Sequence, residues 1–450
     1  AGGTATRRGV VLMLVLDQSS SMNTAADPVT GLTACQAMVQ AAGNFVTLFS
    51  PYDQIGLVKF DITAHLVDAP TTNHSQVGSD IAAITCGSNT NTVSALELAY
   101  QQIKNTNLPL ALNSIVLFTD GSPNGVSGTF LARAAVDNRW GPSLNSPDGT
   151  QPAGPAPPAQ SGSTYGIANS CNNNVGGTDA NGMHSNAICV NMPAVCTSAT
   201  AVFKGTLAQW GDVNSYGAPT YGLAKPMDGD TVSIPASCNY TSALAGTNIR
   251  QFIAYIPDTD MYGNSTHGVA ATGTGPTVAA GMVTRDNWIF QVNPLCAPDP
   301  HVIPNCKNTG DLWTNAAYVA IGSGSNFFPA GSAYATKFRP DQPNTIVAAS
   351  MNATMAEAYR IRSDTTFHPV IHCIYLTGNG TDAVDREFLP IVANYPSIPA
   401  LPYDPVSYTS YTNPAYQTSQ ETGRYFVTAD RNQLTSLFAQ LASAVLRLSH

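Results

Sequence analysis

Apolar runs that alternate with helical segments are the feature of this sequence that most restricts its fold. Val10–Leu16 is a continuous apolar run, as a strand buried on both faces requires, and Ser114–Thr119 is a second predicted buried strand. Ala34–Phe49 and Thr92–Lys104 carry apolar side chains at helical spacing. Buried strands that alternate with helices predict an α/β fold with a doubly wound, mostly parallel sheet flanked by helices.

This alternation stops after Ser122 and resumes near residue 345. Residues 123–344 are rich in Gly, Pro and Asn, with only short strand candidates at Asn248–Ile256 and Asn287–Val292. The remaining predicted elements are strands Gln54–Asp61, Ala64–Ala69, His368–Leu376 and Arg424–Thr428, and helices Ile346–Arg362, Asp382–Val392 and Arg431–Leu448. We therefore predict one domain formed by residues 1–122 and 345–450, interrupted by a large, irregular, β-rich insert at 123–344.

Composition excludes several classes of protein. Charged residues make up only 10% of the 450, and the net charge of −9 argues against a nucleic-acid partner. The longest apolar run, Val10–Leu16, is too short to cross a bilayer. The sequence begins at Ala1 rather than Met, which leaves open what preceded it.

The nine cysteines contain no Cys-x-x-Cys pair, which weakens a zinc or redox-motif interpretation. Cysteines in a chain with few charges favour an oxidising, extracellular location. Cys35 and Cys86 both lie near one edge of the predicted sheet, so we expect them to form a disulfide. We expect Cys296 and Cys306 to pair because they are close in sequence, and Cys373 to be a buried free thiol.

Oxygen-bearing side chains collect where the predicted strands end. Asp17, Ser19 and Ser21 follow the first strand, Asp120 follows Ser114–Thr119, and Thr90 directly precedes a helix. Ligands of parallel α/β sheets bind outside the carboxyl ends of the strands. Two carboxylates and three hydroxyls, without sulfur or imidazole, indicate a site for a hard divalent cation.

The charges suggest how such a site would work. Asp17 and Asp120 neutralise a 2+ ion, and the hydroxyls complete most of an octahedron. Mg²⁺ is the expected ion, with Mn²⁺ or Ca²⁺ as alternatives, and one remaining water could yield to a carboxylate of a partner. The competing interpretation is that the Asp17–Ser21 segment only caps a helix.

These motifs resemble the metal-ion-dependent adhesion site of von Willebrand factor A (vWA) domains. The resemblance rests on Asp17-x-Ser19-x-Ser21, Thr90 and Thr119-Asp120-Gly121, in that order. It implies that Ser19, Ser21 and Thr90 coordinate the ion, and that Asp17 and Asp120 act directly or through water. Ser20 stands where the family usually has Gly, which removes no ligand.

Further stretches resemble bacterial TadG-like proteins, which accompany Flp/Tad-type pili. These stretches are Arg-Gly-Val-Val-Leu-Met at residues 8–13, Leu112–Pro123 and Leu434–Ser449. TadG-like proteins have a membrane segment ahead of the vWA domain. The resemblance therefore implies a bacterial cell-surface protein and leaves open a membrane anchor upstream of residue 1.

The insert begins just after Asp120 and returns at the start of a helix, so both of its ends should lie beside the cation. We hypothesise that it forms a lobe that flanks the site and shapes the choice of partner.

No sequence motif for hydrolase or nucleotide chemistry is present. The leading prediction is a non-enzymatic adhesion or assembly protein that binds an Asp or Glu of a protein partner through the ion. The alternative is a structural filament subunit that self-assembles through the insert and loops.

Overall fold

The fold is known from a computed structural model, which describes ten stretches of the chain. They are residues 7–23, 31–132, 200–208, 223–236, 249, 253–266, 343–377, 385–399, 410–413 and 415–449. The expected Cys296–Cys306 pair and the strand candidate Asn287–Val292 lie outside these stretches.

Six strands form the central sheet. With all strands numbered along the chain, they are β1 (Val10–Asp17), β2 (Gln54–Phe60), β3 (Ala64–Thr71), β4 (Leu112–Thr119), β7 (Val370–Leu376) and β10 (Tyr425–Thr428). Their order across the sheet is β10-β7-β4-β1-β2-β3. Neighbouring strands are parallel except β2 and β3. The doubly wound, mostly parallel sheet predicted from the sequence is therefore confirmed.

Helices cover both faces of this sheet. They are α1 (Ala34–Val46), α2 (His74–Ala82), α3 (Thr92–Thr106), α4 (Pro343–Arg362), α5 (Asp385–Val392) and α6 (Leu434–Leu448). Alternate residues of β1 face two separate cores: Val11 and Met13 pack on the side of α3 and α4, and Leu12 and Leu14 on the side of α1 and α6. Burial on both faces explains why the β1 sequence is apolar without alternation.

The sequence interpretation missed two features of the domain. The turn between Phe60 and Ala64 is too short for a crossover, so β3 runs antiparallel to β2. Helix α2 was not predicted because most of its residues are polar, and only Val77 and Ile81 are buried. At their ends, the predicted elements differ from the observed ones by a few residues.

The described part of the insert centres on an antiparallel pair, β5 (Gly125–Leu131) and β6 (Val202–Ala208). Phe130 and Phe203 of this pair are buried in the core on the side of α3 and α4. The small and polar residues of β5 hid this strand from sequence analysis. In its described residues, the candidate Asn248–Ile256 forms isolated bridges rather than a strand, at Ile253, which pairs with Ala132, and at Ile256.

Two short strands, β8 (Ser397–Ile398) and β9 (Tyr411–Thr412), form a separate antiparallel pair. Within the described stretches, no helix is both long and apolar enough to cross a membrane.

The three cysteines in the described stretches are in the states that the sequence predicted. Cys35, at the start of α1, forms a disulfide with Cys86, which follows α2, and their Cα atoms are 6.2 Å apart. Cys373 is a buried free thiol in β7. The disulfide anchors the segment that leads to Thr90 against α1.

Replacing both Cys35 and Cys86 with Ser should lower the free energy of unfolding by about 2–4 kcal/mol, because the bond closes a long loop in the unfolded chain. Denaturant unfolding would measure the loss, with Cys373→Ala as the control that leaves the disulfide intact. If Cys35 reacts with an alkylating reagent in the native, unreduced protein, the bond is absent.

Candidate metal centre

Asp17 ends β1 and is fully buried. Its Oδ1 accepts a hydrogen bond from the Ser19 backbone N–H at 2.7 Å, and its Oδ2 accepts one from the Thr119 hydroxyl at 2.5 Å. Thr119 ends β4, which pairs in parallel with β1, so the two strand ends meet at one edge of the sheet. These two donors fix the carboxylate of Asp17.

A chain of hydrogen bonds connects this loop to the second acid. The hydroxyls of Ser19 and Ser21 are 2.9 Å apart, and the Ser21 hydroxyl donates to Asp120 Oδ1 at 2.6 Å. A 3₁₀ turn at Ser20–Asn23 leaves Ser21 exposed while Ser19 is buried. The structure therefore brings together Asp17, Ser19, Ser21 and Asp120, as the sequence predicted.

Thr90 reaches the same edge through the backbone of its loop. Ser20 N–H donates to the Ser88 carbonyl at 2.8 Å, and Gly87 N–H donates to the Gln18 carbonyl at 2.6 Å. Thr90 itself is only 5% exposed. The loop that carries Thr90 therefore lies directly against the loop that carries Ser19 and Ser21.

Both acids of the site are held where their charged forms are unfavourable. Burial raises the pKa of Asp17 to about 6, although hydrogen bonds from Ser19 and Thr119 oppose the rise. Burial and the charge of Asp17 raise the pKa of Asp120 to about 7. Two desolvated carboxylates that repel each other indicate an environment that a positive ion would stabilise.

Asp61 is an acidic neighbour that the sequence interpretation did not assign to the site. Its Oδ2 accepts a hydrogen bond from Gln18 Nε2 at 3.1 Å, and its negative charge adds to the rise in the pKa of Asp17. The signal was available, because Asp61 directly follows β2 in the way that Asp120 follows β4. Asp61 makes the edge around the candidate site more negative.

The donor set fits a hard divalent cation. Its side chains offer only carboxylate and hydroxyl oxygens, which Mg²⁺, Mn²⁺ and Ca²⁺ favour. In the part of the chain that the structure describes, no cluster of three or more His, Cys, Asp or Glu side chains could hold a metal. A cation here would therefore depend on hydroxyls as well as on the two acids.

Residues 12–122 match the family model of the von Willebrand factor type A domain. This match contains all five candidate residues and ends where the insert begins. It covers the first part of the predicted domain, and the fold described above agrees with it. Among curated proteins, none matches the chain.

Several solved structures resemble the chain weakly. They include the vWF domain of the type V pilus tip protein Mfa5 from Porphyromonas gingivalis, with 13% identity, 99% of this chain and 98% of that chain covered, and a TM-score of 0.41. The PilB minor pilin from Streptococcus sanguinis has 9% identity, with 100% of this chain and 64% of that chain covered, and a TM-score of 0.37. The pilus adhesin SpaC from Lactobacillus rhamnosus GG has 10% identity, with 98% of this chain and 31% of that chain covered, and a TM-score of 0.38. This chain thus spans less than two thirds of the last two, and at these scores the likenesses carry no functional argument.

In the presence of a chelator, which keeps the protein metal-free, Asp120→Asn should raise the free energy of unfolding at pH 8 by about 1–2 kcal/mol, because it removes a poorly solvated charge. Folded carboxyls with a raised pKa hold protons that the unfolded chain has released. Stability of the unmodified protein should therefore fall as pH rises from 6 to 8, and the variant should lose part of that slope. Thermal unfolding across this pH range would measure both effects.

Glu421→Gln is the control, since Glu421 is exposed and precedes β10 at the opposite edge of the sheet. Buried acids elsewhere in the protein, such as Glu357 with its pKa raised to about 8, contribute equally to all three proteins. Equal slopes in Asp120→Asn and the control would show that Asp120 is not held as described.

Proposed function

We propose that this chain is a non-enzymatic protein-binding domain that captures a carboxylate of a protein partner through a divalent cation. The observation that carries the proposal is the hydrogen-bonded convergence of Asp17, Ser19, Ser21 and Asp120 at one edge of the sheet. The match of residues 12–122 to a vWA family model supports it. Mg²⁺ is the expected ion, with Mn²⁺ and Ca²⁺ as alternatives.

Each candidate residue has a distinct role in this proposal. Ser19, Ser21 and Thr90 offer neutral oxygens, and Asp17 and Asp120 together offer two negative charges. A bound divalent cation would supply a positive centre with a coordination position open to another oxygen ligand. Because the protein's own acids only balance the ion's charge, a further carboxylate from outside remains favourable.

The location of the binding surface follows from exposure. Asp17 and Ser19 are buried and fixed, whereas Ser21 is exposed. A partner would therefore approach from the side of Ser21. No bond in the partner has to form or break, so capture needs neither a nucleophile nor a proton transfer.

We further propose that the protein works outside the cytoplasm, at a bacterial surface and in connection with a pilus or another surface assembly. The Cys35–Cys86 disulfide supports an oxidising compartment. The pilus connection rests on the TadG-like sequence stretches.

Asp17→Ala should weaken Mn²⁺ binding by at least about tenfold, because it removes a charged ligand that two donors hold in place. Free Mn²⁺ can be measured by electron paramagnetic resonance at increasing protein concentration. Glu421→Gln, which removes a charge at the opposite edge, should bind as the unmodified protein does. Equal binding by Asp17→Ala would contradict the assigned site.

Carboxylate capture can be tested with beads that carry either carboxylate or hydroxyl groups. In Mg²⁺, the unmodified protein should be retained on the carboxylate beads only, and EDTA should release it. Asp17→Ala should not be retained. Retention on the carboxylate beads that is unaffected by EDTA and by Asp17→Ala would contradict capture through the cation. The alternative, a structural filament subunit, would be favoured if substitutions on its contact surfaces also dissolve a polymer of the protein.

A further inference from the structure

The start of the insert holds both backbone groups of Thr90. The Asn124 side-chain oxygen accepts the Thr90 N–H at 2.7 Å. The backbone N–H groups of Asn124 and Gly125 donate to the Thr90 carbonyl at 2.9 and 3.0 Å. Three hydrogen bonds from two insert residues therefore set where Thr90 lies.

Gly125 shows how closely the two segments approach. A Cβ atom at this position would lie 3.4 Å from the Thr90 carbonyl oxygen and 3.0 Å from Ile62 Cδ1. The closer contacts of such a Cβ would be with side chains, those of Ile62 and of Thr206, the latter at 3.2 Å. The first residue of β5 is thus in close contact with the Thr90 loop and its neighbours.

A buried polar cluster extends the connection into the insert. Asn91 Nδ2 donates to the hydroxyls of Ser127, at 2.9 Å, and Thr206, at 3.1 Å, and these two hydroxyls are 2.8 Å apart. The Ser94 hydroxyl lies 3.0 Å from that of Ser127 and accepts a hydrogen bond from the Tyr262 hydroxyl at 2.9 Å. Three segments of the insert therefore converge on the residues that directly follow Thr90.

Asn91 has two functions in this arrangement. Its side-chain oxygen accepts the Ser94 N–H and caps α3, while its side-chain nitrogen binds the insert. Asn91, Ser94, Ser127 and Thr206 are each at most 1% exposed. Buried polar groups that lose a partner are costly, so this cluster favours a single arrangement of the insert against the start of α3.

We propose that the insert positions Thr90 for the cation, with Asn124 as the main positioning residue, so that cation binding and docking of β5 and β6 stabilise each other. This inference rests on the proposed function, because it assumes a cation at Thr90. It goes beyond that function by making the affinity of the site depend on a part of the chain that supplies no ligand. Such coupling is reciprocal: what strengthens cation binding must also strengthen docking of the insert.

The first test compares Mn²⁺ affinity in three proteins by electron paramagnetic resonance. Asn124→Ala should bind about three- to tenfold more weakly than the unmodified protein, because the Thr90 N–H loses its acceptor. Thr129→Ala, at an exposed position further along β5, should bind with unchanged affinity. Circular dichroism and thermal unfolding establish that all three proteins are folded.

The second test needs no substitution. Mg²⁺ at ten times its dissociation constant should slow amide hydrogen exchange in β5 and β6 by up to about tenfold, where exchange proceeds through an opening that releases the cation. The amides of α2, which is distant from the insert in the chain, serve as the comparison. In Asn124→Ala, Mg²⁺ should protect β5 and β6 less than in the unmodified protein at equal saturation.

The outcomes separate the two proposals. If the unmodified protein binds neither Mn²⁺ nor Mg²⁺, the proposed function fails and the coupling fails with it. If the unmodified protein binds, but Asn124→Ala binds equally and Mg²⁺ protects β5 and β6 no more than α2, only the coupling is overturned.

Discussion

Burial of the Asp17 carboxylate at the end of a central strand is the interaction on which the candidate site depends. A charged group in this position is stable only if donors and an opposite charge replace the lost water. The Ser19 N–H and the Thr119 hydroxyl supply the donors. The opposite charge is what a divalent cation would add, and the nearby Asp120 increases the need for it.

The sheet makes this burial achievable. Parallel strands β1 and β4 end side by side. The residues that follow them therefore lie at one edge of the sheet, and the loops need not be long to bring them together. The two apolar cores hold the strand ends rigidly on both faces. Rigidity matters because a cation site tolerates little displacement of its oxygens.

Insertion of a long segment after β4 places new structure where it can act on the site. The insert begins at residues that bind the Thr90 backbone, and its strands bury polar side chains against the start of α3. An insertion at another edge of the sheet would have left the Thr90 loop to its own local interactions. The position of the insert, rather than its size, therefore brings it into contact with the Thr90 loop.

The sequence by itself determined the strands of the central sheet, the flanking helices other than α2, and four residues that the fold brings together. Apolar runs identify strands buried on both faces, and Asp17 and Asp120 mark the ends of two of them. The sequence also indicated the Cys35–Cys86 disulfide. The strands and helices depend on local patterns that each element imposes on its own residues. The disulfide and the four site residues follow from where neighbouring elements end in a parallel sheet.

The antiparallel direction of β3 and the acidic neighbour Asp61 had local signals that the sequence interpretation did not use: the short turn after Phe60, and the position of Asp61 directly after β2. Only the tertiary structure decided the presence of β5 and β6 and the attachment of Thr90 to Asn124. Each arises from contacts between segments far apart in the chain, such as Asn91 with Thr206. Polar and small residues make these contacts, and their local sequence carries no periodic signal. Side chains such as Asn124 and Ser127 acquire their roles only when folding places them beside a partner.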